Sequence, residues 1–429
     1  MENKKPTASR KDFIQTSATT GAMAALAATG NYAYAQGSNR LKIGLVGCGG
    51  RGSGAAVQAL TADPENVLVA MGDARRSQIE SSLANIKGEP VGSRAQVDEA
   101  RRFEGLDAYL KVLDSGIDVV LLASPPGFRP REIKAAVAAG KHIFAEKPMG
   151  TDAVNVRMAW EATKGLGKKQ GFLSGFCWRY DYARREFFKR IHAGAIGQVR
   201  HVHATYLTSP VKPMPPTDSR PAGMSDVEWQ IRNWYNFCWL SGDGLVEQAC
   251  HSVDKIMWAF KDVAPAKCVA TGGRTIPNNE GNIWDHITVF YEWADGSRAT
   301  MAQRQIDSPH SDNSDFVNGS NGVGSIKAGK VIIQTDKKWV YDGKEDNMYQ
   351  VEHNEFFASI RQGQPLNNSE RMARSTLVGL MGRMAAYSGQ EITWEQVLRS
   401  QDNIFPNKLD WNGTLPQSAL PVPGQYRLR

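Results

Sequence analysis

The run Leu41-Lys-Ile-Gly-Leu-Val-Gly-Cys-Gly-Gly-Arg-Gly52 constrains this chain more than any other. Its first half is a short apolar strand. Its second half is Gly47-x-Gly49-x-x-Gly52, followed by the small-residue helix start Ser53-Gly54-Ala55-Ala56-Val57. Strand, glycine turn and helix in that order are the fingerprint of a dinucleotide-binding βαβ unit. Gly47 is expected to make the tight turn, Gly49 to let the backbone approach a pyrophosphate, and Gly52 to let helix and strand pack closely. Gly50 and Arg51 complete the turn. The helix N-terminus then offers unpaired N–H groups and a positive dipole end to the phosphates.

The rest of the chain supplies the context such a motif needs. Asn66-Val-Leu-Val-Ala-Met-Gly-Asp73 reads as the second strand. Asp73 ends it where the fingerprint places a carboxylate for the adenosine ribose, which argues for NAD. Arg75 and Arg76 follow and are able to hold a 2′-phosphate, so NADP stays open. Ile117-Asp-Val-Val-Leu-Leu-Ala-Ser124 is a near-continuous apolar run, as expected of a buried parallel strand. Pro125-Pro126-Gly127 ends it. A helix is expected from Arg131 to Ala139, closed by Gly140. Lys141-His-Ile-Phe-Ala145 is the next strand, and it delivers Glu146-Lys147-Pro148 to the same sheet edge. Ser124, Pro125, Glu146 and Lys147 therefore join the candidate cofactor-binding residues. Alternating strands and helices predict a parallel, doubly wound sheet.

Four segments together resemble one family. They are the glycine turn, the strand ending at Asp73, Ile117–Pro126, and Ala139-Gly-Lys-His-Ile-Phe-Ala-Glu-Lys-Pro148. They resemble the glucose–fructose oxidoreductase / inositol dehydrogenase / rhizopine catabolism (Gfo/Idh/MocA) family, from about Asn39 to Ser400. The resemblance implies an N-terminal Rossmann domain and a C-terminal α+β domain with a large open, mainly antiparallel sheet. The residues support the second domain independently. Gln198–Tyr206 alternates like a strand, and Asn282–Glu292 and Ser297–Arg304 flank the hairpin signal Asp295-Gly296. Helices are expected at Gln350–Arg361 and Ser369–Ser388. The expected division is 1–35 signal, 38–165 Rossmann domain, 166–400 substrate domain and 401–429 extended arm.

Gly242-Asp-Gly-Leu-Val-Glu-Gln-Ala-Cys-His-Ser-Val-Asp254 is similar to the family's second motif, with a carboxylate and a histidine four apart on one helix. That spacing places Glu247 and His251 on one face. The family usually has Asp where Glu247 stands, and a histidine soon after the Pro125-Pro126 turn, which is missing here. The resemblance implies His251 as acid/base, Lys147 polarising the reacting hydroxyl beside the nicotinamide ribose, and Glu247 holding a neighbouring hydroxyl. Asp254 is expected to orient His251. Trp178-Arg179-Tyr180 stands where family members carry an Arg-containing segment near the substrate. The Pro-rich segment Thr208–Leu240 carries aromatics beside Arg and Asn, a composition suited to a sugar. Arg179, Tyr180, Trp234, Trp239 and Asp254 are the expected substrate contacts.

Composition narrows the remaining classes. Net charge is +7 without a long Lys/Arg run beyond the N-terminal segment, which disfavours a nucleic-acid partner. Five cysteines with no CxxC pair indicate neither a disulfide framework nor a zinc site, and no metal is assigned. Ser9-Arg10-Lys11-Asp12-Phe13-Ile14, a weakly apolar run and Ala33-Tyr34-Ala35 resemble a twin-arginine export signal, too short and polar to span a membrane. The expected protein is an exported, periplasmic NAD(P)-dependent oxidoreductase acting on a secondary hydroxyl of a sugar, glycoside or polyol. Its cofactor would be tightly held and recycled. The resemblance also implies a homo-oligomer, dimer or tetramer, with no stable membrane insertion. Two other readings stand beside it: an NAD-dependent glycoside hydrolase using transient C3 oxidation, and a non-catalytic sugar-binding protein.

Overall fold

The computed structural model describes residues 40–276, 280–308, 310–416 and 419–428. The export signal expected at 1–35 lies outside the described residues. The first sheet is six-stranded and wholly parallel. Its strands are β1 (Leu41–Val46), β2 (Asn66–Asp73), β3 (Arg102–Glu104), β4 (Val119–Leu122), β5 (His142–Ala145) and β6 (Phe172–Ser174), in the order β3-β2-β1-β4-β5-β6. The strands are apolar because helices cover both faces: β1, β2 and β4 are buried along nearly their whole lengths. Strand order reverses between β1 and β4, and that switch point opens a crevice at their C-terminal ends. Gly47 leaves β1 there, and Ser124-Pro125 leaves β4 there.

The second sheet has nine strands: β7 (Val199–Thr208), β8 (Lys267–Gly273), β9 (His286–Glu292), β10 (Arg298–Gln305), β11 (Asp315–Gly319), β12 (Val323–Lys327), β13 (Lys330–Gln334), β14 (Lys338–Val340) and β15 (Ile392–Thr393). Their order is β14-β13-β12-β11-β7-β10-β9-β8-β15. Only β7 and β10 pair in parallel; the rest is antiparallel. The hairpin at Gly296 joins β9 to β10 as expected, but β9 starts at His286 rather than Asn282. Asn282 instead accepts the Cys238 N–H at 2.8 Å, and the Trp284 N–H donates to Asp243 at 2.8 Å, so these residues brace the site.

Two boundaries need correction. β6 belongs to the first sheet, so the first domain runs past residue 165. The helix Met348–Arg361, expected in the second domain, packs Val351, Phe356, Phe357 and Ile360 into the core that holds Ile43, Leu45 and Ala55. This late helix packs against the helix Gly50–Ala62, and its His353 ring lies 4.3 Å from that of Phe144 in β5. The long helix Ser369–Ser388 falls on its expected bounds and is buried along most of its length, linking the two domains. Among the described residues after Pro406 there is no helix or strand, and the Tyr426 hydroxyl meets Asp402 of the same chain at 3.1 Å. All five cysteines are buried and free.

Candidate active site

The glycine turn explains itself on steric grounds. Gly47 has φ +88°, and a Cβ there would lie 2.4 Å from the Ser124 nitrogen. A Cβ on Gly52 would lie 1.9 Å from the Gly47 carbonyl oxygen. A Cβ on Gly49 or Gly50 would meet nothing within 4 Å, so the backbone there faces open space, as an approaching pyrophosphate requires. The helix Gly50–Ala62 begins at this point with no side-chain cap, leaving its first N–H groups to a ligand. Asp73 accepts the Cys48 N–H at 2.8 Å and the Arg75 N–H at 3.0 Å, which fixes its carboxylate at the crevice wall.

Gly47, Gly49, Gly50, Arg51, Gly52, Asp73, Ser124 and Pro125 all line one cleft of about 320 Å³. These residues fit a dinucleotide: a cradle that a Cβ would fill, free helix N–H groups and a carboxylate at the ribose position. Arg75 also lines the cleft, whereas Arg76 is spent on Glu80, Glu99 and the Arg102 carbonyl. Glu146 is absent from the lining. It pairs with Arg51 and lies against Gly175, so it steadies the turn from behind. After the Pro125-Pro126 turn, where the family usually has a histidine, this chain carries Arg129. Its buried guanidinium donates to the carbonyls of Ser124 and Pro148 and ties together the loops that follow β4 and β5. Sequence reasoning also missed Glu132, which lines the cleft, accepts the Ser124 hydroxyl, and is pushed by burial up to about 7.

Beside this cleft the two domains meet. The Lys147 ammonium donates to the Glu247 carboxylate at 2.9 Å and to the Glu247 carbonyl at 2.6 Å. Both side chains are about nine-tenths buried. Burial works against the lysine's charge, but Glu247 more than offsets it and holds the ammonium above its ordinary range. Glu247 and His251 do not share one continuous helix. Gly244–Glu247 and Cys250–Ala259 are separate, and the Ala249 N–H reaches back five residues to the Gly244 carbonyl. Such a π-type bond offsets the two turns. Asp243 (φ +84°) caps the first helix and is held there by the Tyr387 hydroxyl.

His251 lies face to face with Trp178, with centroids 5.7 Å apart, and edge-on to Phe176. Burial, then Lys147 and Lys255, hold its imidazole well below the ordinary range. It is neutral at neutral pH and competent to take a proton. Its Nδ1 and the Glu247 Oε2 have no protein partner among the described residues. The inner sheet face completes this wall. The Tyr206 hydroxyl accepts from Gln248 at 2.8 Å, the Tyr235 hydroxyl accepts from Gln305 at 2.6 Å, and the Gln303 amide is buried without a partner among the described residues.

Several expected substrate contacts lie elsewhere. Arg179 forms a buried pair with Asp254, 2.7 Å apart, and also bonds Asp262. Asp254 is consumed by Arg179 and Ser375 and does not touch His251. Tyr180 is buried against the first domain and accepts from Asn368 at 3.1 Å. Of that triplet it is Trp178 that faces the site. The segment Thr208–Leu240 splits in two. Lys212, Arg232 and Trp234 line the dinucleotide cleft, while Trp239 turns away and packs edge-on against Phe128 and Phe405.

Residues 41–173 match the family model described as the oxidoreductase family with an NAD-binding Rossmann fold, and residues 185–324 match the GFO/IDH/MocA C-terminal domain. The dTDP-3,4-didehydro-2,6-dideoxy-alpha-D-glucose 3-reductase of Actinomadura kijaniata is 28% identical over 178 residues, covering 41% of this chain and 48% of that protein. Inositol 2-dehydrogenase 4 of Saccharopolyspora erythraea is 29% identical over 177 residues, again 41% and 48%. The chain thus spans about half the length of the curated relatives it matches. The WlbA dehydrogenase of Bordetella pertussis, solved in complex with NADH and UDP-GlcNAcA, shares the fold. Its TM-score is 0.64 at 17% identity, over 84% of this chain and 99% of that one. On the two family models and the cleft they coincide with, the chain belongs to the Gfo/Idh/MocA family of oxidoreductases, with an NAD-binding Rossmann domain.

Proposed function

We propose that this protein is an exported NAD(P)-dependent oxidoreductase that oxidises a secondary hydroxyl of a sugar, glycoside or polyol, or reduces the matching ketone. The observation that carries this reading is the buried Lys147–Glu247 pair near His251, on the loop that follows β5 next to Glu146, the partner of the cleft residue Arg51. When bound, the nicotinamide supplies the hydride acceptor. The chain's residues supply the rest. Lys147 donates to the reacting oxygen and stabilises its developing charge. The neutral His251 takes the hydroxyl proton, and in the reverse direction returns it. Glu247, through its unpartnered oxygen, accepts a hydrogen bond from a neighbouring hydroxyl. A ligand rich in hydroxyls satisfies such orphaned buried polar groups, and an apolar one does not.

Cofactor retention is part of the proposal. The adenosine side of the cleft is walled by Arg75 of the first domain and by Lys212, Arg232 and Trp234 of the second. A dinucleotide there would be held from both sides. Export would make such retention useful, because the nucleotide would have to travel with the protein. The test is mass spectrometry of natively purified protein for a bound nicotinamide nucleotide, then a sugar and polyol panel scored by reduction of that nucleotide. Absence of nucleotide binding and of any reduction overturns the proposal. Release of free sugar without net reduction would assign the hydrolase instead.

A further inference from the structure

A second cavity, of about 610 Å³, lies between residues from Arg220 to Trp239 and residues of the C-terminal part of the chain, from Ile404 to Pro416 and from Ala419 to Tyr426. It shares no lining residue with the dinucleotide cleft, and Lys147, Glu247 and His251 are not part of it. Its walls carry the rings of Trp229, Phe237, Trp239 and Tyr426. Trp239 is immobilised: its indole N–H donates to Gln230 at 2.6 Å, and Phe128 and Phe405 hold the ring edge-on. The Trp229 indole N–H is buried without a partner among the described residues. Charge on the wall is internally cancelled where Arg220 meets Asp226 at 2.7 Å. Two further charged side chains of opposite sign, Glu280 and Lys408, also line it, and the neutral groups of Gln230, Asn282, Asn407 and Thr414 complete its polar part.

Flat rings among polar groups whose charges balance in sign suit a particular chemistry. The ligand must be apolar on its faces and hydroxylated around its edge. We propose that this cavity is an accessory saccharide site, taking a neutral sugar unit away from the reacting centre. The inference goes beyond the redox reading and does not depend on it. The site is also tied to the reacting centre. Tyr387 lines the cavity, and its hydroxyl holds Asp243, the cap of the helix that ends in Glu247.

The full-length protein, with its nucleotide, is titrated with glucose, cellotriose, maltotriose and chitotriose by ligand-observed NMR. At least one trisaccharide is expected to bind with Kd of about 0.1–10 mM. Thr414→Trp places a ring into the cavity from an exposed position and is expected to weaken that binding at least about tenfold. Asn407→Ala, also exposed, is expected to weaken it less. NADH affinity, titrated in parallel, is expected to stay unchanged in both variants. No trisaccharide binding below about 10 mM, or binding undiminished by Thr414→Trp, overturns the proposal. Failure of the NADH titration alone would instead count against the redox reading.

Discussion

Replacing Glu247 by Gln tests the reacting centre through its charge while keeping its shape. The Lys147–Glu247 contact is 2.9 Å and about nine-tenths buried on both sides. At an effective dielectric of about 20, two unit charges at that distance attract by about 6 kcal/mol. Desolvation of both groups cancels much of this, and charge-assisted hydrogen bonds net about 1.5–3 kcal/mol. The amide oxygen still accepts from Lys147, so the expected loss in kcat/KM is about 10- to 100-fold. The pH profile is the sharper readout. In the native protein Lys147 titrates above its unfolded value because Glu247 outweighs burial. The stabilisation it contributes is therefore complete below the unfolded lysine pKa, about 10.4, and is lost only as pH rises through the higher folded one. Without the carboxylate, burial prevails and the lysine pKa falls. An alkaline limb should then enter the kcat/KM profile of Glu247→Gln below the native one. Native kcat/KM with an unmoved alkaline limb would refute the assignment of this pair.

His251→Asn is expected to lower kcat by about 10²- to 10⁴-fold while NADH binding, followed by fluorescence, is retained. The native acid limb should fall well below about pH 6.5, because burial and the Lys147 and Lys255 charges favour the neutral ring; a limb at or above that pH counts against His251 as the base. Gly52→Ala is expected to abolish NADH binding and lower the melting temperature, since its Cβ would lie 1.9 Å from the Gly47 oxygen; unchanged binding would refute the role of this turn. Arg179→Met leaves Asp254 buried without its cation and is expected to cost about 3–5 kcal/mol in denaturant unfolding. A raised KM with unchanged stability would return Arg179 to the substrate site.

The first domain was largely legible because its signals are local. A strand buried on both faces must be apolar, and a turn that passes a carbonyl at contact distance must be glycine. β1, β2, β4 and the turn at Gly47 follow from neighbours in the chain. Lys147, Glu247 and His251 were placed by resemblance, and the structure brings all three to one place. Residue choice within a motif was less legible. Trp178, Arg179 and Tyr180 are adjacent, and only the path of the chain decides which one faces His251. Asp254 is three residues from His251, yet its oxygens were claimed by Arg179 and Ser375, more than 70 positions away in either direction. The inner-face wall did leave a trace. In β10 buried and less buried residues alternate, and Gln303 and Gln305 occupy buried positions where an ordinary core would hold apolar side chains. The mixed use of Thr208–Leu240 left none, because a Pro-rich segment fixes no register.

The helix Met348–Arg361 has a consequence for how this chain is made. Arg51 in the glycine turn bonds Glu352, 301 residues later, and the intervening chain must exist before that contact can form. At about 5–20 residues per second, this is a delay of about 15–60 s during synthesis. For that interval one flank of the first sheet is without its cover, and its apolar residues stand open to other nascent chains. A fragment ending near residue 173 would carry every strand of that sheet and the whole glycine turn, yet remain an unfinished domain prone to self-association. The nucleotide-binding half of this protein therefore completes its core only with a helix encoded near the other end.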